Sequence, residues 1–318
     1  MAAILAAMRA LLLGLLACTL ASTASAKEFN FVAFGDTAYK LPRDAGRLDR
    51  LVDAINAEAP AFAIHVGDFK GYTSCSDEAY RAVVAQYRRL RSPLVLTPGD
   101  NDWFDCSVDT AGSFDPLERL AALRQIFFQA PLGSGGLALQ RQAGFPENAR
   151  WTHDRLLFAT VHVIGPHNGL VRDAKLAAES VARSAAGEQW VRDAFAEARR
   201  SAAPAVVLAF QVDPWIASAP TYEDGPLDWL RNVIGEEAAT FAGQVLVIHG
   251  DSHRLTIDTP YRRTDIDAGT SRGLNVTRLM VPGWPDHRAV RVTVDPGKAA
   301  IFSFGVIMQT EESAGAKP

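Results

Sequence analysis

Three apolar runs in this chain close on Gly-Asp at even intervals, which ties three acids to one structural position. The runs are Phe29 to Phe34 before Gly35-Asp36, Ala61 to Val66 before Gly67-Asp68, and Leu94 to Pro98 before Gly99-Asp100. Successive aspartates stand 32 positions apart, at 36, 68 and 100. A strand, a crossover helix and the next parallel strand need about thirty residues. The intervening segments carry helical periodicity, with Leu48, Leu51, Val52 and Ile55 in the first and Tyr80, Val83, Val84 and Tyr87 in the second. The first half is therefore predicted as β-α-β-α-β. Its three carboxylates then share the edge where strands end, which is where open α/β sheets bind ligands. A later run of the same kind, Gln244 to Ile248, closes on His249, Gly250, Asp251, Ser252 and His253.

The rest of the chain extends this plan. A helix is expected from Pro116 to Gln129, followed by a glycine-rich loop, Gly133 to Gly136, that looks like an insertion near the site. Arg155 to Ile164 reads as a strand, Glu188 to Arg200 as a helix, and Ala205 to Phe210 as a buried strand with Gln211, Asp213 and Trp215 just past its end. Leu274 to Val281, Ala289 to Val294 and Ala299 to Ile307 look like consecutive antiparallel strands. The expectation is an α/β protein with two sheets flanked by helices, and the even aspartate spacing reflects βαβ units rather than a solenoid repeat.

Arg9, the apolar stretch Ala10 to Leu20 and then Ala24-Ser25-Ala26 have the form of a cleavable signal peptide over residues 1–26. The mature chain is then exported and begins near Lys27, with one domain over 27–310 and a disordered tail at 311–318. A rival reading is that Leu15-Leu16-Ala17-Cys18 is a lipoprotein processing site that leaves Cys18 lipidated. No other stretch approaches the roughly 20 apolar residues of a membrane span. Cys75 and Cys106 both follow Gly-Asp motifs and are expected to pair in an oxidising compartment, the alternative being two unrelated buried thiols. The net charge of −4 and the absence of a basic patch argue against a nucleic-acid partner.

The order Gly-Asp, Gly-Asp, Gly-Asp-Asn-Asp, then His-Gly-Asp-Ser-His resembles the calcineurin-like metallophosphoesterase superfamily, which includes the purple acid phosphatases. The likeness runs from Phe31 to His253. It implies a four-layer αββα sandwich with two mixed β-sheets and a pair of divalent metal ions at the strand ends. By position, Asp36 and His253 would bind the first ion, Asp68 would bridge both, and Asp100 would stand where the family has an asparagine ligand. Asp251 takes the place of the other histidine in the family's Gly-His-x-His motif. Gln211, or Asp213, falls where a lone histidine ligand belongs. Ala38 sits where the first motif has a ligating histidine, and Asn101 where the family has the histidine that protonates the leaving group. His249 is the candidate replacement acid if its side chain turns toward the site. Asp102 is expected either to orient Asn101 or to cap the next segment.

The residues favour a cation on their own terms. Asp36, Asp68, Asp100 and Asp251 on one sheet edge repel one another unless a positive charge lies among them, and without one their pKa values rise. An oxygen-rich set with few imidazoles favours Mn²⁺, Mg²⁺ or Ca²⁺ over iron or zinc. Two such ions clamp a phosphoryl group and activate water, which makes hydrolysis of a small-molecule phosphate ester the natural reaction. Asn101 donates a hydrogen bond but gives up no proton at neutral pH. A non-catalytic metal- or ligand-binding protein is therefore one alternative. Another is a GDSL-type esterase, which Phe34-Gly35-Asp36-Thr37 mimics without the serine. Other residues have plainer expectations: His65 as a satisfied core residue, His162 and His167 in a solvated turn or, with Asn168, reaching the rim, His153 and His287 on the surface, and Tyr39 and Tyr72 in core or rim packing, the alternative being that they reach the metals as the resemblance to purple acid phosphatases implies. Trp103, Trp215 and Trp284 are expected as packing or as a pocket wall.

Overall fold

The computed structural model describes residues 27–40, 42–170, 173–216, 225–261 and 275–309. The proposed signal peptide, Cys18 and the tail lie outside these. Its first half follows the predicted alternation: β1 (Phe29–Phe34), α1 (Ala45–Ala57), β2 (Ala63–His65), α2 (Asp77–Tyr87), β3 (Pro93–Leu96), α3 (Pro116–Phe127) and β4 (Leu132–Gly133). Helix α2 starts on Ser76, whose hydroxyl accepts from the Ala79 amide at 3.3 Å. Helix α3 starts on Asp115 with Pro116 at its first turn. Both are standard ways to satisfy the orphan amides of a helix start.

The second half contributes β5 (Gln140–Gln142), β6 (Phe145–His153), β7 (Leu156–Thr160), α4 (Ala174–Arg200), β8 (Ala205–Ala209), α5 (Asp228–Ala239), β9 (Gln244–His249), β10 (Thr256–Asp258), β11 (Val276–Met280), β12 (Ala289–Val294) and β13 (Phe302–Ile307). One sheet runs β13-β12-β1-β2-β3-β4 and the other β10-β11-β9-β8-β7-β6-β5. Each has a parallel centre, β1-β2-β3 in one and β7-β8-β9-β11 in the other, with antiparallel strands at its margins.

Strand alternation sorts the apolar residues into layers. Phe31 and Ala33 face Phe158, Val207, Leu246 and Ile248 between the sheets. Val32 and Phe34 face α1 and α2. Leu157, Val206, Val245 and Val247 face α4 and α5. The result is a four-layer αββα sandwich with two mixed sheets, as the sequence resemblance implied. Two local expectations change. Val276–Met280 does not join the antiparallel run of β12 and β13 but lies parallel to β9 in the other sheet. The glycine-rich loop begins in β4, where Gly133 pairs with Pro93 at the start of β3, so it lies at the opposite end of that strand from Asp100.

Candidate metal centre

The Gly-Asp loops meet where the strands of the two sheets end. Asp36, Asp68, Asp251 and His253 all take left-handed backbone conformations, with φ of 49°, 55°, 73° and 58°. Such conformations cost a non-glycine residue about 1–3 kcal/mol and cluster at functional sites. Close backbone approach explains the glycines beside them. A Cβ on Gly99 would stand 2.0 Å from Asp68 Oδ1, and one on Gly250 would stand 2.0 Å from Asp36 Oδ2. One oxygen of each carboxylate is thus packed against a neighbouring loop, and the other faces inward.

On the inner side lies a knot of polar atoms centred on Tyr39, for which packing was the favoured expectation and a reach to the metals the alternative. The Tyr39 hydroxyl is 2.6 Å from Asp68 Oδ2, 3.0 Å from His253 Nε2 and 3.4 Å from Asp36 Oδ1. His253 Nε2 is 3.5 Å from Asp36 Oδ1, and its Nδ1 lies 2.8 Å from the Trp284 carbonyl, which suits Nδ1 as the proton-bearing nitrogen. Burial works against the charged His253 ring, but the Asp36 carboxylate wins and its pKa is raised. The Asp251 backbone amide donates to both Asp36 oxygens, at 3.1 and 3.2 Å.

Asp68 is held from the other side by amides. Asn101 donates through Nδ2 to Oδ2 at 2.9 Å and through its backbone to Oδ1 at 3.2 Å, and Gln211 Nε2 stands 3.4 Å from Oδ2. The Gln211 oxygen is already committed, because it accepts from the Gly165 amide at 2.8 Å. Gln211 therefore reaches the site but presents N–H, not the oxygen a metal ligand needs. Asp100 has a buried Oδ1 without a partner. Its pKa is raised by burial and by the charge of Asp251, and that of Asp68 by burial and by Asp100. Burial is also the main cause that pushes Asp251 up to about 6.

Two residues expected to do chemistry are placed elsewhere. Asp102 is fully buried, and its carboxylate accepts from the amides of Asp68 and Phe69 at 2.9 Å and of Gly99 at 2.8 Å. It ties two loops together rather than orienting Asn101. His249 ends β9 with the parity of Val245 and Val247, so its ring points to the helix side, stacked on Phe210 at 5.8 Å and beside Trp215 at 5.9 Å. The parity that would have aligned it with Asp251 and His253 breaks because the strand stops at His249 and both later residues turn left-handed. Asp213, the alternative to Gln211, donates its amide to Asp251 Oδ2 and turns its carboxylate to Ser252 and the Trp215 amide.

His65, His162 and His287 are held by the fold. His65 bonds the Tyr87 hydroxyl at 2.7 Å and accepts from the Gly67 amide, and burial pushes its pKa down to about 3. His162 is not solvated: it is buried, 2.8 Å from Glu147, and accepts from the Trp103 indole at 3.1 Å. Trp103 is fully buried. His287 is buried and 3.4 Å from Arg47. Cys75 and Cys106 form a disulfide between the loops that follow Asp68 and Asp100.

Among the described residues, no three His, Cys, Asp or Glu side chains are grouped so as to hold a metal ion as they stand. The donor chemistry of Asp36, Asp68 and His253, supplemented by the orphaned oxygen of Asp100, nevertheless suits a hard divalent cation. Gln211 and Asn101, which turn N–H groups inward, do not. Sequence reasoning favoured packing for Tyr39 and kept a reach to the metals as the alternative. The available signal was its place three residues after Asp36, but only the turn at Ala38 brings it inward.

Neither a family model nor a curated protein sequence matches this chain. Some solved structures resemble it. A dimetal phosphatase from Danio rerio is 11% identical, covering 89% of this chain and 99% of that one, with a TM-score of 0.48. GAP50, the anchor in the inner membrane complex of Plasmodium, is 11% identical and covers 90% of each chain, with a TM-score of 0.48. A 5'-nucleotidase from Candida albicans is 12% identical over 87% of this chain and 50% of its own, with a TM-score of 0.47. The fold rests on this chain's own strand order and layers.

Proposed function

We propose that the chain is an exported hydrolase of phosphate mono- or diesters that works with divalent cations held at this centre. The observation that carries the reading is the convergence of Asp36, Asp68, Asp100 and Asp251 on one largely buried edge with little positive charge to balance them. Lys70 is buried within electrostatic reach of Asp102, Asp68 and Asp100 but turns its Nζ to the Gly71 carbonyl at 3.0 Å, one cation against several acids, and Arg278 pairs with Asp258 and Asp213. The Cys75–Cys106 disulfide suits an oxidising compartment. No helix among the described residues is long and apolar enough to cross a membrane.

Asp36, Asp68 and His253 would hold one cation, with Asp100 and Asp251 flanking it. A divalent ion there would supply charge to phosphoryl oxygens and an activated water. Asn101 Nδ2 donates to Asp68 Oδ2 at 2.9 Å and to the Tyr39 hydroxyl at 3.3 Å, and a bound cation that drew those oxygens to itself would release it toward a phosphate oxygen. Because an amide transfers no proton to a leaving group, the expected substrates are esters whose leaving groups depart without one. The side-chain amides on Asp68 favour a second reading, in which the centre binds a ligand without turnover.

The test is elemental analysis of purified protein, combined with hydrolysis of p-nitrophenyl phosphate and its bis-ester with and without Mn²⁺. Chelator-sensitive turnover is expected, and Asp68→Asn should abolish it while the protein stays folded. Bound metal without turnover would establish the binding reading. No bound metal and no response to Mn²⁺ would overturn both.

A further inference from the structure

We propose that the centre takes a single divalent cation, at Asp36, Asp68 and His253, because the Gln211 side chain turns N–H toward the face of Asp68 that a second ion would share. This rests on the cation-dependent reading above and reduces to one the ion pair that the sequence resemblance implies. A carboxylate that bridges two ions gives a lone pair to each. Asp68 Oδ1 accepts the Asn101 backbone amide at 3.2 Å and is packed against Gly99. Asp68 Oδ2 faces three donors: the Tyr39 hydroxyl at 2.6 Å, Asn101 Nδ2 at 2.9 Å and Gln211 Nε2 at 3.4 Å. The Tyr39 side is also that of Asp36 and His253, since the same hydroxyl stands 3.4 Å from Asp36 Oδ1 and 3.0 Å from His253 Nε2. A hydroxyl can rotate its hydrogen away from an arriving cation, whereas an amide nitrogen carries hydrogen on both arms. The remaining face of Asp68 is therefore satisfied by donors that repel a cation.

Of the two amides, Asn101 is free to turn over, because its Oδ1 is buried without a partner. Gln211 is not. Its oxygen accepts the Gly165 amide at 2.8 Å, so reversing the group would set N–H against N–H at one end and oxygen against Asp68 Oδ2 at the other. The stem is held too, since a Cβ on Gly67 would stand 2.9 Å from Gln211 Cγ. So is the backbone: the Gln211 amide donates to the Val163 carbonyl at 3.2 Å, and its carbonyl accepts from the Gly250 amide at 3.0 Å. Gln211 is fully buried within these contacts. The other acids on this side are partly engaged. Asp251 Oδ2 accepts the Asp213 amide at 3.0 Å, and the carboxylate lies so near Gly165 that a Cβ there would stand 3.0 Å from both oxygens. Asp100 and Asp251 thus lack the shared carboxylate that would hold a second ion beside the first.

The experiment compares the native chain with Gln211→Glu, each first shown to be folded by circular dichroism. Mn²⁺ per chain is counted by elemental analysis after gel filtration, and the electron paramagnetic resonance spectrum is recorded on the same samples. Glutamate keeps one oxygen for the Gly165 amide and turns the other, in place of N–H, toward Asp68. The native chain is expected to hold one Mn²⁺ with the resolved hyperfine signal of an isolated ion. Gln211→Glu is expected to hold two, with the broadened signal of an exchange-coupled pair. If Gln211→Glu does not fold, the native count and spectrum decide alone. A coupled pair in the native chain, or a single ion in folded Gln211→Glu, would overturn this inference and leave the functional reading standing. No Mn²⁺ bound by the native chain would overturn both.

Discussion

Asp102 Oδ2 accepts the backbone amide of Asp68 at 2.9 Å, so an acid from the third Gly-Asp loop fixes the backbone of the second. The same carboxylate holds Phe69 and Gly99, and the Tyr80 hydroxyl closes on the Asp102 carbonyl at 2.5 Å. Burial is the main influence that pushes the Asp102 pKa up to about 7, while the three amides pull it down. The positions of Asp68 and Asp100 thus depend on a group that touches neither ligand nor solvent.

Asp102→Asn should therefore destabilise the protein by about 2–4 kcal/mol, because the new amide turns N–H toward backbone N–H and leaves buried donors unpaired. Urea denaturation measures this. A variant as stable as the native chain would show that the loops are held by other means.

The metal-free protein should be more stable near pH 5 than near pH 8, the reverse of the usual carboxylate behaviour. Asp68, Asp100 and Asp251 have raised pKa values in the folded state, so that state holds protons the unfolded chain releases. Stability is then fully present below the ordinary aspartate range and is lost as pH rises through the folded values, about 6 for Asp251. Over its whole titration window Asp251 alone accounts for about 3 kcal/mol at 1.36 kcal/mol per unit, of which about half is lost between pH 5 and pH 8. Divalent cations should restore the loss at pH 8. Thermal melts with chelator and with Mn²⁺ check this, and identical melts at both pH values would contradict the buried acid cluster.

Cys75 and Cys106 close a loop with a sequence separation of 31. Loop-closure entropy gives about 3–4 kcal/mol for a crosslink of that length. The double variant Cys75→Ala, Cys106→Ala should lose stability on that scale and bind cations more weakly, since the bridge joins the loops of Asp68 and Asp100. Unchanged cation affinity would confine the disulfide to stability alone.

His249→Phe should leave cation binding and any turnover nearly unchanged, because the ring it replaces stacks on Phe210 and packs beside Trp215, with the carboxylate 3.9 Å from its Nε2 belonging to Asp213, which is not among the proposed cation ligands. Loss of a working general acid would instead cost about 10²–10⁴-fold. A fall on that scale in the pH-rate profile would return His249 to the chemistry.

Much of the architecture was legible because it rests on local pattern. The 32-residue spacing of Asp36, Asp68 and Asp100 requires βαβ units, and the alternation of Phe31, Val32, Ala33 and Phe34 requires a strand buried on both faces. Those facts set three carboxyl-bearing loops at strand ends and brought Cys75 near Cys106, and the apolar run Gln244 to Ile248 added the fourth at Asp251. The strand from Val276 was misplaced because its pattern is equally good for either sheet, and its partner, β9, is chosen by non-local pairing.

The interior of the site was decided by tertiary structure. Whether Gln211 offers oxygen or N–H depends on the Gly165 amide, 46 residues away in sequence. The direction of His249 depends on the residue at which β9 stops. Tyr39 enters the centre only because Ala38 turns left-handed and is drawn into the core. The sequence by itself determined which elements form and which residues end them, because hydrophobic periodicity and turn chemistry act over a few neighbours. Side-chain direction past a strand end has no such periodicity, and only the packing of distant loops against one another fixes it.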